Sequence, residues 1–462
     1  MFRRILIANR GEIAIRIIRT CIEMNIETVA VYSIADKDSL HVKLATDAVC
    51  IGPAKAADSY LNMKNILMAA TEKNCDAIHP GFGFLSENSD FARLCENCGI
   101  TFIGPKADVI DLMGNKAMAK KLMRDGNVPV VPGTVGAVAD FKEVEDIAKE
   151  IGYPLLLKAS AGGGGRGMRR VYKSEELKSL YEEARAEARA CFGNDEMYVE
   201  KLILHPRHIE FQILADEYGN VVHLGERDCS IQRKNQKLIE ESPCMRLSDE
   251  LRAKMGEAAV NAAKASGYTN AGTVEFVLDE NDNFYFIEMN TRIQVEHGVT
   301  EMVTGLDLIK EQIRIAFHQP LDMTQDDVVL NGHAMECRIN AENPACGFKP
   351  NSGKITFLNL PGGPGVRVDT LLYNGYETSP FYDSMMAKVI VHAPTRLETI
   401  RKMRRALIEL TTEGITTTGD FDYFVLHHPD FVKGNYNVDF IENNIDEILS
   451  WNEFGEEDDG IN

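Results

Sequence analysis

The densest chemistry in the chain lies between Ala271 and His297. Residues 273–279 and 284–290 read as two strands joined by a polar four-residue turn, 280–283. If Asp279 pairs with Phe284, Glu275 falls opposite Glu288 on one face, with the two carboxylates ~5 Å apart. Opposed like charges destabilise a bare sheet, so the pair asks for a cation between them, with Asn290 facing the same way two residues on. Hard oxygen ligands of this kind suit Mg²⁺ or Mn²⁺ shared with nucleotide phosphates. A one-residue slip would instead leave two separate exposed carboxylates. The flanking Val274, Phe276, Phe286 and Ile287 mark a half-buried sheet and favour the metal.

Directly after this hairpin, Arg292, Gln294 and Glu296 fall at alternate positions, so an extended chain points a cation, an amide and a carboxylate one way. Such a trio can hold a small oxyanion and take its proton. Alone it is equally a surface salt-bridge stripe; its place beside the hairpin makes it a substrate shelf. A glycine run, Gly162 to Gly165 with Gly167 after Arg166, lies between two further strands. Residues without Cβ let backbone N–H groups close on an anion and let a loop swing as a lid. Met168 and Arg169 stand where a Walker loop needs Lys and Ser or Thr. Lys158 before the run and Arg166 inside it favour a phosphate lid over a plain hairpin connection. The basic stretch 227–237, ending in Lys237, offers further anion contacts or a solvated charged loop. His205 and His208 carry a weaker signal, because a lone histidine is usually structural. Cys95 and Cys98 read as a chance spacing near a helix end, with metal or redox use a distant alternative.

These side chains need a scaffold. Short apolar runs (5–8, 28–32, 77–79) alternate with amphipathic segments such as 12–24, where Ile13, Ile17 and Cys21 share a face. That is the rhythm of an α/β fold with an open, doubly wound parallel sheet. The first turn has a single glycine, Gly11, so a dinucleotide site is not expected there. A loop-like stretch at 126–136 marks a boundary, followed by a helix (138–151), strands (154–159, 168–171), a charged helix (174–190) and a strand (196–201). The rest mixes strands and helices and ends in an acidic, solvated tail. With 462 residues, about two to four domains fit. A net charge of −20 disfavours nucleic acid and anionic membranes as partners but leaves room for a local basic pocket. No run approaches the ~18 apolar residues of a bilayer span, and the start lacks a signal peptide's apolar stretch. A cytoplasmic protein with ten reduced cysteines is expected.

Together, Lys116, Lys158, the glycine loop, Glu200, Lys201, Glu275, Glu288, Asn290 and the stretch 292–296 resemble an ATP-grasp enzyme. Longer phrases, RGEIA at 10–14, HPGFGFLSEN at 79–88, ERDCS at 226–230, NTRIQVEH at 290–297 and ECRIN at 336–340, resemble the biotin carboxylase component of biotin-dependent carboxylases, in order from residue 2 to roughly 445. The resemblance implies an N-terminal domain (1–114), an ATP-grasp region (115–317) with a mobile lid at about 132–203, a C-terminal domain with mixed α+β structure (318–446) and a tail (447–462). It implies ATP between lid and body: Lys116, Lys158 and His208 on phosphates or ribose, Gly164 and Gly165 in the lid, and the edge Glu200, Lys201, Leu202 and Ile203 against the adenine. Mg²⁺ or Mn²⁺ would be held by Glu275 and Glu288 with Asn290. Bicarbonate would lie among Lys237, Arg292, Gln294 and the Val295 N–H, with Glu296 as base and Arg338 stabilising the biotin enolate. The activity implied is carboxylation of biotin on a separate biotin carboxyl carrier protein, alongside carboxyltransferase subunits. It would be the first half-reaction of an acyl-CoA carboxylase, most directly that of acetyl-CoA in fatty acid biosynthesis. The alternatives are pyruvate, propionyl-CoA or urea carboxylation, another ATP-grasp acceptor, and a nucleotide-sensing regulatory role. Three positions depart from the family pattern: Asn235 stands for His, Phe82 for Tyr near the biotin pocket, and Pro364 for an aromatic at a dimer contact. Arg16, Arg19 and Glu23 match the helix of a homodimer contact, and equally an exposed charged helical face.

Overall fold

In the computed structural model, residues 1–134, 136–138, 140–159, 168–192 and 195–456 are described. The glycine run, with Gly164 and Gly165, and the end of the acidic tail lie outside the described residues. The N-terminal strands β1 (Arg4–Ile7), β2 (Glu27–Ser33), β3 (Asp47–Gly52), β4 (Ala77–His79) and β5 (Thr101–Phe102) form a parallel sheet in the order β3-β2-β1-β4-β5. Strand β3 is faint in the sequence because most of its side chains are only half-buried, which leaves a weak apolar signal. The strand order reverses between β1 and β4, so the loops leaving these strands part and open a crevice at their C-terminal ends. The RGEIA and HPGFGF phrases are those two loops. Asn9 stitches them together, its Nδ2 donating to the carbonyls of Pro80 and Phe82 at 2.7 Å each.

The second unit is small. Strands β6 (Leu155–Ala159), β7 (Met168–Val171) and β8 (Met197–Lys201) form an antiparallel sheet under the helices Phe141–Ile151 and Ser174–Phe192. The first of these helices begins later than expected because Asp140 caps it, accepting from the Glu143 N–H. Val144, Leu155, Leu157, Leu177 and Val199 give this unit a core of its own.

The body is an eight-stranded antiparallel sheet of β9 (Arg207–Ala215), β10 (Val221–Arg233), β11 (Gln236–Ser242), β12 (Asn270–Leu278), β13 (Phe284–Asn290), β14 (His333–Asn340), β15 (Val366–Thr370) and β16 (Met385–Ala393). Its order is β13-β12-β9-β10-β11-β14-β16-β15. Pairing of β11 with β14 carries the sheet without a break across residues 317 and 318. The helix Asp249–Ser266 packs its alanine-rich face with Phe211, Phe276 and Phe286. Ile5 and Ile7 of the N-terminal sheet share a core with Leu214 and Ala271 of the body, which sets the crevice of the one against a face of the other.

Candidate active site

The 270–290 hairpin brings Glu275 opposite Glu288, though by a different route from the one its sequence suggests. The Asp279 N–H bonds to the Asn283 carbonyl at 2.9 Å, so the loop has three residues, with Asp282 left-handed at φ +64°. Leu278 therefore pairs with Phe284, a register that would set Glu275 against Ile287. A bulge between Glu275 and Phe276 absorbs the extra residue and restores the pair with Glu288. The two one-residue offsets cancel. Glu275 also pairs with Glu210 on β9, and Glu210 with Arg227 on β10, so a row of three carboxylates and an arginine crosses four strands. Sequence reasoning missed Glu210; its spacing two residues after His208 on a strand is the signal that could have found it.

Lysines and arginines are interleaved with these carboxylates. Lys237 Nζ lies 2.5 Å from Glu296 Oε1, 2.6 Å from Glu210 Oε2 and 3.3 Å from Glu275 Oε1. Glu275 Oε1 further accepts from Asn290 Nδ2 at 2.8 Å and Gln294 Nε2 at 2.9 Å, and His208 Nε2 lies 3.0 Å from Glu275 Oε2. Glu288 faces Lys116 at 3.2 Å. Two groupings, His208 with Glu210 and Glu275, and Glu210 with Cys229 and Glu296, have the spacing of metal sites. The Lys237 ammonium contacts the carboxylates of both. Burial works against its charge, but the sulfur and carboxylates around it outweigh burial and push its pKa well above the usual lysine value. Glu296 shows the converse: burial would raise it, and Lys237 and Arg338 drive it well below the carboxylate range.

Arg338 bridges two acids, with Nε 2.6 Å from Glu240 Oε1 and Nη2 2.9 Å from Glu296 Oε2. Burial raises Glu240 to about 7 against the pull of Arg338. Arg292 donates to Glu87 Oε2 (2.9 Å), Gln294 Oε1 (2.8 Å) and Asn290 Oδ1 (3.1 Å). Glu87, in the HPGFGFLSEN phrase, thus holds Arg292 from the N-terminal domain. The expected extended chain at 292–296 is not formed. Residues 291–296 make a loop, and Glu296 (φ −80°, ψ 13°) precedes the helix His297–Thr304. Arg292, Gln294 and Glu296 converge through the curvature of that loop rather than by alternation.

One cleft of about 600 Å³ is lined by Lys116, His208, Asn235, Lys237, Glu275, Glu288, Asn290, Arg292, Gln294, Val295, Glu296 and Arg338. The Val295 N–H makes no hydrogen bond to any described residue, and its carbonyl accepts from Lys388 Nζ at 2.6 Å. Lys234 and Asn235 form the β10–β11 turn with φ +48° and +64°, a conformation that asparagine tolerates well. The basic stretch is accordingly no solvated loop: Arg227 is fully buried and Lys237 points into the cleft. Lys158, Glu200, Lys201, Leu202 and Ile203 lie apart from this cleft, on and just after the small sheet. There Lys158 Nζ sits 2.5 Å from Glu200 Oε2, Lys120 ion-pairs with the same carboxylate, and Lys201 donates to the Tyr153 carbonyl at 2.7 Å. A second cavity of about 500 Å³ opens at the strand-order reversal. Asn9, Phe82, Phe84 and Tyr382 line it, and it shares Arg292, Val295 and Arg338 with the first. Arg16 is not on an exposed face: it is buried against Glu301 and Asp307 at 2.8 Å each, while Arg19 and Glu23 are exposed. Cys95 is buried, Cys98 exposed, and both are free.

The chain matches the family described as "Biotin carboxylase, N-terminal domain" over residues 1–110 and "Biotin carboxylase C-terminal domain" over 336–443. Between them, "Carbamoyl-phosphate synthase L chain, ATP binding domain" matches residues 115–324. Over 441 residues it is 56% identical to a biotin carboxylase of Nostoc sp., covering 96% of this chain and 99% of that one. The chain belongs to the biotin carboxylase family. A Bacillus subtilis biotin carboxylase is likewise 56% identical over 443 residues, 96% of this chain and 98% of that one. The biotin carboxylase domain of Hydrogenobacter thermophilus 2-oxoglutarate carboxylase, solved as a dimer with MgADP, ADP and bicarbonate, superposes with a TM-score of 0.88 at 52% identity, covering 96% of this chain and 98% of that one. A Campylobacter jejuni biotin carboxylase solved with a β,γ-ATP ligand gives 0.90 at 49%, covering 96% and 99%. As a biotin carboxylase the protein is an enzyme, an ATP-dependent carbon–nitrogen ligase and the carboxylating component of a biotin-dependent carboxylase. Among the described residues no helix is long and apolar enough to cross a membrane.

Proposed function

We propose that the chain uses Mg·ATP and bicarbonate to carboxylate biotin on a separate carrier protein, as the first half-reaction of acetyl-CoA carboxylase. The observation that carries this reading is the meeting of Lys237, Arg292, Glu296 and Arg338 in one cleft beside Glu275 and Glu288. Glu275, Glu288 and Asn290 present hard oxygen atoms from adjacent strands and fit a Mg²⁺ ion, which when bound would neutralise charge on the phosphates. Each acid there already carries a lysine, Lys237 on Glu275 and Lys116 on Glu288, with His208 beside Glu275. When the nucleotide enters, these side chains turn from the carboxylates to the phosphates.

Bicarbonate is then held by Arg292, Gln294, Lys237 and the Val295 N–H, and Glu296 takes its proton. The freed oxygen attacks the γ-phosphorus, the bond to the ADP oxygen breaks, and carboxyphosphate forms. The small unit carrying β6, β7 and β8 closes over it as a lid, with the edge from Glu200 through Ile203 against the adenine. Closure keeps water from the carboxyphosphate. Its C–O bond breaks to give CO₂ and phosphate; phosphate removes the ureido proton of biotin, Arg338 stabilises the enolate, and the nitrogen adds to CO₂. The second cavity, more apolar and bounded by Phe82, suits the biotin bicycle, and its shared wall of Arg292, Val295 and Arg338 supports a ureido group bound next to bicarbonate. Biotin carboxyl carrier protein, carboxyltransferase subunits and a second copy of this chain complete the assembly. A second reading comes from two relatives, each 52% identical, one named for pyruvate carboxylase and the other as the small component of 2-oxoglutarate carboxylase. It gives the same biotin chemistry with another final acceptor.

Purified protein with Mg·ATP should release ADP only when bicarbonate is present, and faster when biotin is added. Release indifferent to both would reject the reading. Supplying the carboxylated carrier to the co-purifying transferase with acetyl-CoA, pyruvate or 2-oxoglutarate identifies the acceptor.

A further inference from the structure

Lys388 on β16 stands directly opposite Arg338 on β14, so the two cations share one face of the sheet. Opposed like charges are unfavourable unless each is met separately. Arg338 is met by Glu240 and Glu296. Lys388, fully buried, donates to the Val295 carbonyl at 2.6 Å and lies 3.3 Å from Glu12 Oε1. Glu12 belongs to the RGEIA phrase and Glu336, on the same strand as Arg338, to ECRIN; neither is used by the chemistry above. No carboxylate oxygen of either has a hydrogen-bond partner among the described residues. Burial raises both acids, and the Lys388 ammonium opposes that shift in each. The strong directional bond that Lys388 makes is to Val295. It lines neither cavity, whereas Val295 and Glu296 line the cleft.

We propose that Lys388 is a positioning residue: by holding the Val295 carbonyl it sets the 292–296 loop that receives bicarbonate and carries its base. The proposal rests on the placement of bicarbonate given above. Lys388 touches no substrate. Together with Arg338, it pins consecutive residues of the loop, one through a carbonyl and the other through the Glu296 carboxylate.

Lys388→Met keeps the stem and removes the donor. The expected result is a KM for bicarbonate raised about tenfold to a hundredfold, the factor for losing one charge-assisted hydrogen bond, with Mg·ATP affinity by calorimetry within about twofold. Because methionine leaves Glu12 without its cation, Glu12→Gln/Lys388→Met is measured alongside and should keep the raised KM. A double variant with wild-type KM would reduce Lys388 to a counter-charge for Glu12 and overturn the proposal. Loss of Mg·ATP binding in both variants would assign it to folding and overturn it equally. Arg292→Ala in the same assay separates the two levels. If it raises the bicarbonate KM and Lys388→Met does not, Lys388 has no positioning role and the bicarbonate site stands. If neither moves it, the placement of bicarbonate is wrong and the proposal falls with it.

Discussion

Glu296→Gln is the perturbation that bears most directly on the chemistry. The carboxylate is fully buried and held by Lys237 at 2.5 Å and Arg338 at 2.9 Å, which keep it ionised and a poor base while the site is empty of substrate. In the proposed mechanism it becomes an effective base only when those cations turn to the incoming anions. Glutamine keeps the shape and cannot take the proton. A positioned general base supplies ~10²–10⁴-fold, or about 3–5 kcal/mol of barrier at 1.36 kcal/mol per tenfold. Stability should change less. Lys237 retains Glu210 and Glu275, and Arg338 retains Glu240, so neither is left as the unpaired buried charge that costs about 3–5 kcal/mol. The assay is bicarbonate-dependent ADP release at saturating biotin, with ATP affinity by calorimetry and a denaturant midpoint. Turnover should fall at least about 10²-fold while ATP affinity stays within about twofold. Wild-type turnover would mean that the proton leaves by another route, and weakened ATP binding would move Glu296 to the nucleotide; either result refutes the reasoning.

Glu288→Lys should abolish Mg²⁺-dependent turnover and leave the fold intact, because the side chain is 38% exposed and a lysine can reach water there; near-normal turnover would dissociate Glu288 from the metal. Glu241→Gln should cost about 1.5–3 kcal/mol of stability in urea unfolding, since it removes the carboxylate that half-buried Arg396 meets at 2.7 Å and 3.0 Å and leaves it the carbonyls of Phe431 and Val432, and a loss under about 1 kcal/mol would show that those carbonyls suffice. Burial lowers His41 to about 4 and His79 to about 3, so both must take up protons on unfolding below their ordinary value of 6.5. The stability they contribute is full above about pH 6.5 and is lost as pH falls toward 4. Between pH 7 and 4.5 this amounts to about 2–3 kcal/mol each, and His41→Gln should flatten the acid slope of the denaturant stability by that amount; an unchanged slope would place the acid sensitivity elsewhere.

The pieces of this site that are legible in the sequence are those written in local spacing. Alternation on two short strands marks Glu275 and Glu288 as facing residues, and apolar periodicity marks the parallel sheet. Strand β3 is not legible, because half-buried side chains leave no clean period. The hairpin shows how narrow that reach is. Its spacing suggests a turn one residue too long, and the pair still forms because the bulge corrects the offset; loop and bulge are coupled by backbone twist, which no residue type announces.

By itself the sequence determined which residue types were available: carboxylates paired across a hairpin, a cation-amide-carboxylate trio, phrases long enough to mark the family. Local hydrogen bonding and side-chain periodicity act over a few residues, so they can be read from neighbours in the chain. Only the tertiary structure decided which charges meet. Glu87 reaches Arg292 across two domains, Glu240 takes Arg338, and Lys237 finds Glu210 and Glu296 from three different segments. The partners of a buried charge are set by which segments the sheet and the shared core bring within a hydrogen bond, and those partners then set the acids apart: burial raises Glu240 to about 7, while Lys237 and Arg338 overcome burial and drive Glu296 down.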